Sequence, residues 1–160
     1  MEQYFALLRQ CPLFQGISPQ ELSQMLPCLG TRHMQVKKHQ MIFRAGDPAR
    51  WVGLVLSGAV HVIQEDYYGN RSIVSTFQPP QLFGEAFACA GVASLPVSVE
   101  AAQDSTLLLL DCQRVIRTCS DACAFHQRLL SNLLHVVAAK NLLLTQKLSF
   151  LSKRTTKEKL

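Results

Sequence analysis

The segment Phe83-Gly84-Glu85 places a carboxylate directly after a glycine, in a stretch that is otherwise mostly apolar. A carboxylate in such surroundings can accept hydrogen bonds from a bound hydroxyl group or act in proton transfer. Glu85 is the one acidic residue that we place near a pocket, and one carboxylate does not make an acid/base pair. The chain also lacks the Gly-x-Ser-x-Gly, Walker and His-Glu-x-x-His motifs. We therefore expect no enzymatic activity.

The cysteine and histidine residues could serve as ligands of a metal or a haem. Cys119 and Cys123 are four residues apart and could share one helix face, but two ligands do not complete a site. Cys11 and Cys28 are too sparse for an iron–sulfur cluster, and His61 lies within an apolar run. The remaining histidines show no metal-ligand spacing: His33, His39, His126 and His135. We expect no metal, no haem, and free thiols in a reducing cytoplasm.

Length and composition favour a single well-packed domain. The chain has 160 residues, of which 48% are hydrophobic, which is enough for a core and too apolar for disorder. No apolar run approaches the ~20 residues of a membrane span, and the N-terminus has no signal-peptide pattern. We expect a cytoplasmic protein that does not bind a membrane.

The net charge of +5 is concentrated near the C-terminal end. Residues 1–120 carry nine Lys or Arg and nine Asp or Glu, whereas residues 121–160 carry seven Lys or Arg against Asp121 and Glu158. A basic segment of this kind can favour nucleic acid. For this stretch taken alone, we interpret the basic residues as a solvated helix face.

Turn residues and hydrophobic periodicity divide the chain into segments. Ser18-Pro19-Gln20-Glu21 predicts a helix start with a capping box, and Gly30 predicts the end of that segment. From Thr31 to Cys112, short β-rich runs alternate with turns, which predicts an antiparallel sandwich or roll. The predicted strands are Met41–Arg44, Trp51–Leu56, Ala59–Gln64, Ser72–Phe77, Val97–Ala102 and Thr106–Leu110. Asp111 predicts a short helix through Thr118, and a long helix follows from about Ala122 to Leu151.

The long helix carries two apolar stripes. One stripe repeats every seven residues: Leu130, Leu134, Val137, Asn141, Leu144, Leu148 and Leu151. Leucine at the d positions and a single Asn141 at an a position favour a parallel two-stranded coil in which two amides pair. A helix packed only within its own chain is the alternative, but the second stripe needs a surface of its own: Leu129, Leu133, Val136 and Leu143. We therefore predict a homodimer with the seven-residue stripe as its interface.

Several motifs, taken in order along the chain, resemble the Crp/Fnr family of bacterial transcription regulators. Phe83-Gly84-Glu85 and Val97-Ser98-Val99-Glu100-Ala101 resemble the two ends of its phosphate-binding cassette. The other matching segments are Cys11–Ser18, Gly46–Pro48, Val55–Val62 and, for the start of the DNA-binding domain, Lys153–Leu160. The resemblance implies a mainly β fold with flanking helices, namely a cyclic-nucleotide-binding-like double-stranded β-helix (jelly roll).

The same resemblance implies three parts and their boundaries. Residues 1–120 would form the β-roll with its N-terminal helices, and residues 121–152 the dimerisation helix. Residues 153–160 would begin a winged helix-turn-helix domain that lies outside this chain, and DNA would be contacted through that domain.

The resemblance also implies an effector pocket. In the family, backbone N–H groups of the cassette and an arginine hold the cyclic phosphate, and the glutamate holds a ribose hydroxyl. Here Leu95-Pro96 stands where the family has the arginine followed by Ser or Thr, so the charge-assisted hydrogen bonds are missing. The pocket residues implied are Phe83, Gly84, Glu85, Ala86, Phe87, Leu95, Pro96, Val97, Ser98 and, on the long helix, Asn141. We expect no useful binding of cyclic AMP or cyclic GMP. An uncharged or largely apolar effector and a pocket filled by its own side chains both remain open.

The sequence thus predicts the effector-sensing and dimerisation domain of a Crp/Fnr-type transcription regulator. A ligand-free dimerisation domain with a vestigial pocket and a haem- or gas-sensing regulator are alternatives. A fragment of a cyclic-nucleotide-gated enzyme or channel is a further alternative. The heptad helix with its basic end, and the lack of transmembrane or catalytic sequence, argue against the last.

Overall fold

The structure is a computed structural model that describes residues 2–117 and 124–159, with side chains described for residues 3–117 and 125–152. Cys119 and Cys123 lie outside the described residues, as do Thr118 and the predicted helix start at Ala122. Of the helices in the described part of the chain, none combines the length and apolarity that crossing a membrane requires.

The N-terminal segment forms two short α-helices, α1 (Phe5–Gln10) and α2 (Pro19–Met25). The predicted capping box is present: Ser18 Oγ accepts a hydrogen bond from the Glu21 backbone N–H, and Glu21 Oε1 accepts one from the Ser18 N–H. Three 3-10 turns accompany these helices: Glu2–Tyr4, Pro12–Phe14 and Leu26–Leu29. Gly30 ends the segment in the left-handed region, with φ of 61°.

Within residues 2–117 and 124–159, eight antiparallel strands form two four-stranded sheets. Their order is β1-β8-β3-β6 in the first sheet and β2-β7-β4-β5 in the second. The strands are β1 (Arg32–Val36), β2 (Met41–Phe43), β3 (Trp51–Ser57), β4 (Val60–Glu65), β5 (Arg71–Phe77), β6 (Leu82–Phe83), β7 (Ser98–Ala101) and β8 (Ser105–Asp111). The predicted jelly roll is confirmed.

Two strands and one helix are absent from the sequence prediction. Strand β1 lies at a sheet edge, and its alternation of exposed His33 and Gln35 with Met34 and Val36 is too short to stand out in the sequence. Strand β6 has two residues, too few to show a period. Helix α3 (Glu85–Ala90) is also too short for a helical pattern to stand out.

Strands β3 and β8 are buried on both faces. Successive side chains point to opposite sides of the sheet, and both sides are covered. Leu54 and Leu108 face the N-terminal helices, whereas Val55 and Leu107 face the interior of the roll. The run of four leucines in β8 therefore contributes to two separate cores. Gly53 allows this packing, since a Cβ there would collide with the Phe83 ring.

The C-terminal part is helical. Asp111 caps α4 (Cys112–Ile116) as predicted, accepting a hydrogen bond from the Gln113 N–H at 3.1 Å. Helix α5 spans Ala124–Lys159 and so continues beyond the predicted end at Leu151. Its sequence contains neither Gly nor Pro, and the Lys and Arg residues after Leu151 are good helix formers.

Candidate effector site and helix surface

A cavity of about 410 Å³ lies within the roll and is lined by both sheets. This volume falls within the range of small-molecule sites. The apolar part of the lining comes from strands of both sheets and from the cassette: Met34, Ile42, Phe43, Val62, Phe87, Leu95, Val97, Val99 and Leu109. The cavity can therefore hold a small molecule with a largely apolar body.

Four of the residues implied for the pocket line this cavity: Gly84, Phe87, Leu95 and Val97. Gly84 has φ of 76°, which favours glycine, and a Cβ there would lie 3.3 Å from the Trp51 carbonyl oxygen. The Leu95 N–H donates to the Asp47 carbonyl oxygen at 2.8 Å, which ties the loop at Leu95 to the turn before β3. The side chain at position 95 is 8% exposed and contributes to the cavity wall.

The other implied pocket residues lie outside the lining. Phe83 is fully buried in the roll core, with its ring centroid 5.8 Å from that of Phe43. Ser98 Oγ accepts a hydrogen bond from the Ala45 N–H at 2.9 Å. Of the remaining four, Glu85 is buried, whereas Ala86 and Pro96 near the cassette and Asn141 on α5 are exposed.

The lining also carries charged side chains, whereas the sequence around Glu85 is otherwise mostly apolar. Arg32, Arg50 and Trp51 line the cavity together with Asp47. Both guanidinium groups lie over the Trp51 ring, at 4.8 Å for Arg32 and 4.7 Å for Arg50. Arg50 also donates to the Asp111 carboxylate at 3.0 and 3.2 Å. Sequence reasoning missed this group because β1 and β3 bring residues 32 and 51 together only through the sheet.

Glu85 is directed to the long helix. Its carboxylate is 5% exposed and pairs with the Lys140 ammonium group of α5. The same Lys140 donates to the Leu82 carbonyl oxygen at 3.1 Å and lies 5.3 Å from the Phe77 ring centroid. A buried carboxylate is stable only with such partners. Glu85, which the resemblance assigns to a ligand hydroxyl, is therefore already paired with Lys140 of the same chain.

Helix α5 has one face packed on its own chain. Leu129 and Leu133 are 0% and 3% exposed and belong to the core formed with the N-terminal helices. Asn132 fixes the same face by donating to the Leu13 and Gln15 carbonyl oxygens at 2.9 and 2.8 Å. Leu143, which the sequence places on this stripe, is 53% exposed, because the packed face ends before that residue.

The predicted interface stripe faces outward. Leu134, Leu144, Leu148 and Leu151 are 71%, 58%, 67% and 55% exposed. Leu130 and Val137 are half-buried, and Asn141 is exposed. Large apolar side chains in a continuous exposed patch mark an interaction surface.

Several of the described cysteines and histidines make contacts within the fold. Across residues 2–117 and 124–159, no three His, Cys, Asp or Glu side chains come together as a metal site requires. His126 Nε2 donates to the Val115 carbonyl oxygen at 3.1 Å, and His61 Nδ1 lies 3.0 Å from Thr76 Oγ1. Cys11 is a buried thiol, and burial raises its pKa to about 11.

Comparison with known proteins identifies the domain family and the fold. Residues 33–121 match the cyclic nucleotide-binding domain. The catabolite activator protein of Thermus thermophilus is 26% identical, with a TM-score of 0.68 over 88% of this chain and 63% of that one. The present chain thus spans less than two thirds of that protein. No curated protein sequence matches.

Two further solved structures share the fold. The sensor domain of the transcriptional regulator DNR from Pseudomonas aeruginosa is 20% identical, with a TM-score of 0.71 over 92% of this chain and 93% of that one. The regulatory subunit of a cAMP-independent protein kinase A from Trypanosoma brucei is 19% identical, with a TM-score of 0.66 over 87% and 46%. The match over residues 33–121 covers more than half of the chain. The chain therefore belongs to the cyclic nucleotide-binding domain family, and within that family it fits the Crp/Fnr-type transcriptional regulators.

Proposed function

We propose that this chain is the effector-sensing and dimerisation domain of a Crp/Fnr-type transcription regulator that does not respond to cyclic AMP or cyclic GMP. The observation that carries the proposal is the ion pair between Glu85 and Lys140, which joins the cassette to the long helix. The whole regulator would act in the bacterial cytoplasm as a homodimer. It would contact DNA through a further, C-terminal domain that begins near residue 153.

Two features support the lack of response to cyclic nucleotides. Leu95 lines the cavity and offers a phosphate neither charge nor a side-chain hydrogen bond. Glu85 already pairs with Lys140, so a ribose hydroxyl would have to displace a buried ion pair. The Trypanosoma brucei subunit described as cAMP-independent has the same fold. A triple mutant of that subunit, with one replacement by arginine, is bound to cAMP in its A site.

The cavity supports sensing over ligand-free dimerisation. Its apolar walls suit an apolar body, and Arg32 at the same wall suits one anionic group. Among the described residues no carboxylate forms an ion pair with Arg32, whereas Arg50 is paired with Asp111. The effector class that fits is a small, largely apolar carboxylate.

The mechanism would be a shift between two arrangements of α5. An effector can bias such an equilibrium only by binding one arrangement more tightly than the other. Lys140 holds the Glu85 carboxylate at the start of α3, which follows directly on the cavity residue Gly84. A change in the cavity wall would thus reach α5 through this ion pair and alter the spacing of the two DNA-binding domains.

Calorimetry tests the lack of response directly. We expect no heat of binding when cyclic AMP or cyclic GMP is added at up to millimolar concentration. The double variant Leu95→Arg/Pro96→Ser supplies the missing guanidinium group. We expect it to bind cyclic nucleotide roughly 10- to 100-fold more tightly, because one charged hydrogen bond contributes about 1.5–3 kcal/mol. Micromolar binding of either nucleotide by the unchanged chain would refute the proposal.

Thermal unfolding with a small panel of compounds tests sensing. Aromatic and branched aliphatic carboxylates should raise the unfolding midpoint, and the matching primary amides should raise it less. Arg32→Met should remove the preference for the carboxylate, while the exposed Arg44→Met serves as the matched control. If carboxylates and amides are indistinguishable throughout the panel, the effector class is wrong. If no compound raises the midpoint, ligand-free dimerisation is favoured.

A further inference from the structure

Two cysteine thiols meet where α3 contacts α4, outside the cavity. The Sγ atoms of Cys89 and Cys112 are 3.8 Å apart. Cys89 is half-buried, whereas Cys112 is 1% exposed, and both thiols are free. The proposed function uses neither residue. Two thiols in contact, one accessible and one buried, can react with each other, which a lone cysteine cannot do.

We propose that Cys89 and Cys112 form a reversible redox site, at which a peroxide converts the two thiols into one disulfide bond. A disulfide has an S–S length of about 2.05 Å, so the sulfur atoms must approach by about 1.8 Å. Cys89 lies on a helix of six residues and Cys112 is the first residue of a helix of five. Side-chain rotation with a small shift of either short helix supplies this movement.

Cys89 is the thiol that reacts first. Its pKa is lowered because the Cys112 thiol can donate a hydrogen bond to its sulfur, which stabilises the thiolate. The same contact, together with burial, raises the pKa of Cys112, which therefore stays protonated. An accessible thiolate beside a second cysteine is the arrangement found in redox-sensing sites.

The reaction balances with hydrogen peroxide as the oxidant. The Cys89 thiolate attacks one peroxide oxygen and the O–O bond breaks, which gives a sulfenic acid on Cys89 and releases hydroxide. The Cys112 sulfur then attacks the sulfenic sulfur, the S–O bond breaks, and water leaves with the Cys112 proton. Each sulfur has given one electron, and the peroxide has taken two. A small dithiol reductant reverses the reaction by thiol–disulfide exchange.

The position of the site gives the disulfide a consequence for the long helix. Cys89 lies one turn after Glu85 on α3, so the two side chains share a helix face. On the other side, α4 is linked to α5 because His126 Nε2 donates to the Val115 carbonyl oxygen. Oxidation would therefore fix α3 against α4, close to the Glu85–Lys140 ion pair.

Peptide mass spectrometry of the whole chain after mild peroxide treatment tests the site. We expect a linked peptide that contains Cys89 and Cys112, loss of two hydrogen atoms in the intact mass, and full reversal by dithiothreitol. Cys112→Ser should leave the sulfenic acid of Cys89 open to trapping by dimedone. Cys89→Ser should abolish both products. Because Cys112 is buried, Cys112→Ala, which keeps a small apolar side chain, is measured beside the serine variant.

The exposed Cys28 supplies the matched control, since Cys28→Ser should leave the linked peptide unchanged. The proposal is overturned if Cys89 and Cys112 remain thiols while Cys28 is oxidised. It is overturned equally if Cys89 is linked to a different cysteine. None of these measurements depends on an effector, a nucleotide or dimerisation, so the outcome is independent of the proposed function.

Discussion

Both halves of α5 contain leucines, but within the described residues only the half before Lys140 has a face that is buried against its own chain, although Leu134 on its outward face is 71% exposed. Before Lys140, Leu129 and Leu133 are buried against the N-terminal helices of the same chain. After Lys140, Leu144 and Leu148 are 58% and 67% exposed. Leucine spacing predicts that a helix face is buried, but it does not say by what. The rest of the fold determines which part of that face is covered by the same chain.

The largest expected effect comes from placing charge on the exposed half. Leu148→Lys should separate the proposed dimer, because two buried leucines are lost at about 1.5–3 kcal/mol each, which corresponds to a roughly 100- to 10,000-fold weaker association. Sedimentation velocity over a dilution series measures it. Leu142→Lys is the matched control, since Leu142 is exposed but lies outside the seven-residue stripe. The proposed interface would be wrong if both variants weakened association equally, or if the chain without substitutions were a monomer.

On the packed half, Leu133→Ala should lower the free energy of unfolding by about 2–5 kcal/mol, because it leaves a cavity in the core. Leu142→Ala should change the free energy of unfolding by less than about 0.5 kcal/mol. Urea denaturation at one fixed protein concentration measures both values. Similar losses at the two positions would mean that the two halves have the same surroundings, contrary to the comparison.

The boundary between the halves is tested at Lys140. Lys140→Met removes the partner of the buried Glu85 carboxylate and should cost about 1–3 kcal/mol of unfolding free energy. Adding Glu85→Gln should recover part of this loss, because an amide is less costly to bury than an unpaired charge. A double-mutant cycle from urea denaturation gives the coupling. Additive effects of the two changes would show that the pair does not join α5 to the cassette.

The smallest expected effect lies outside α5, on the second sheet. The pKa of Glu100 is lowered, first because Arg71 donates a hydrogen bond to its carboxylate at 2.8 Å, and further because His39 lies nearby. A carboxyl group with a lowered folded-state pKa adds stability above its ordinary pKa of about 4.3. That stability is lost as the pH falls through the lower folded-state value.

Arg71→Gln should therefore lower stability at neutral pH, and the difference from the unchanged chain should vanish in acid. Denaturation curves at neutral pH and in acid measure this, with Arg44→Gln as the control. An Arg71→Gln deficit that stays constant between neutral pH and acid would contradict the assignment. Because this pair lies on a sheet outside α5, its loss should leave the sedimentation behaviour unchanged.

The elements that could be predicted from the sequence are those with local signals. Ser18 and Glu21 form their capping box within four residues, and Asp111 caps the helix that follows directly. The contacts that define the site are not local. Glu85 meets Lys140 across 55 positions, and Cys89 meets Cys112 across 23. No short-range pattern indicates either pair, because the jelly roll and the packing of α5 bring them together.

The length of α5 turns a small displacement near the cavity into a large one elsewhere. About nineteen residues separate Lys140 from Lys159, which at 1.5 Å per residue is about 28 Å of helix. A tilt of about 10° at Lys140 would swing the far end by about 5 Å, on the scale of one helical turn. In the proposed function, a ligand could therefore change the position of the far end of α5 without any large rearrangement of the cavity.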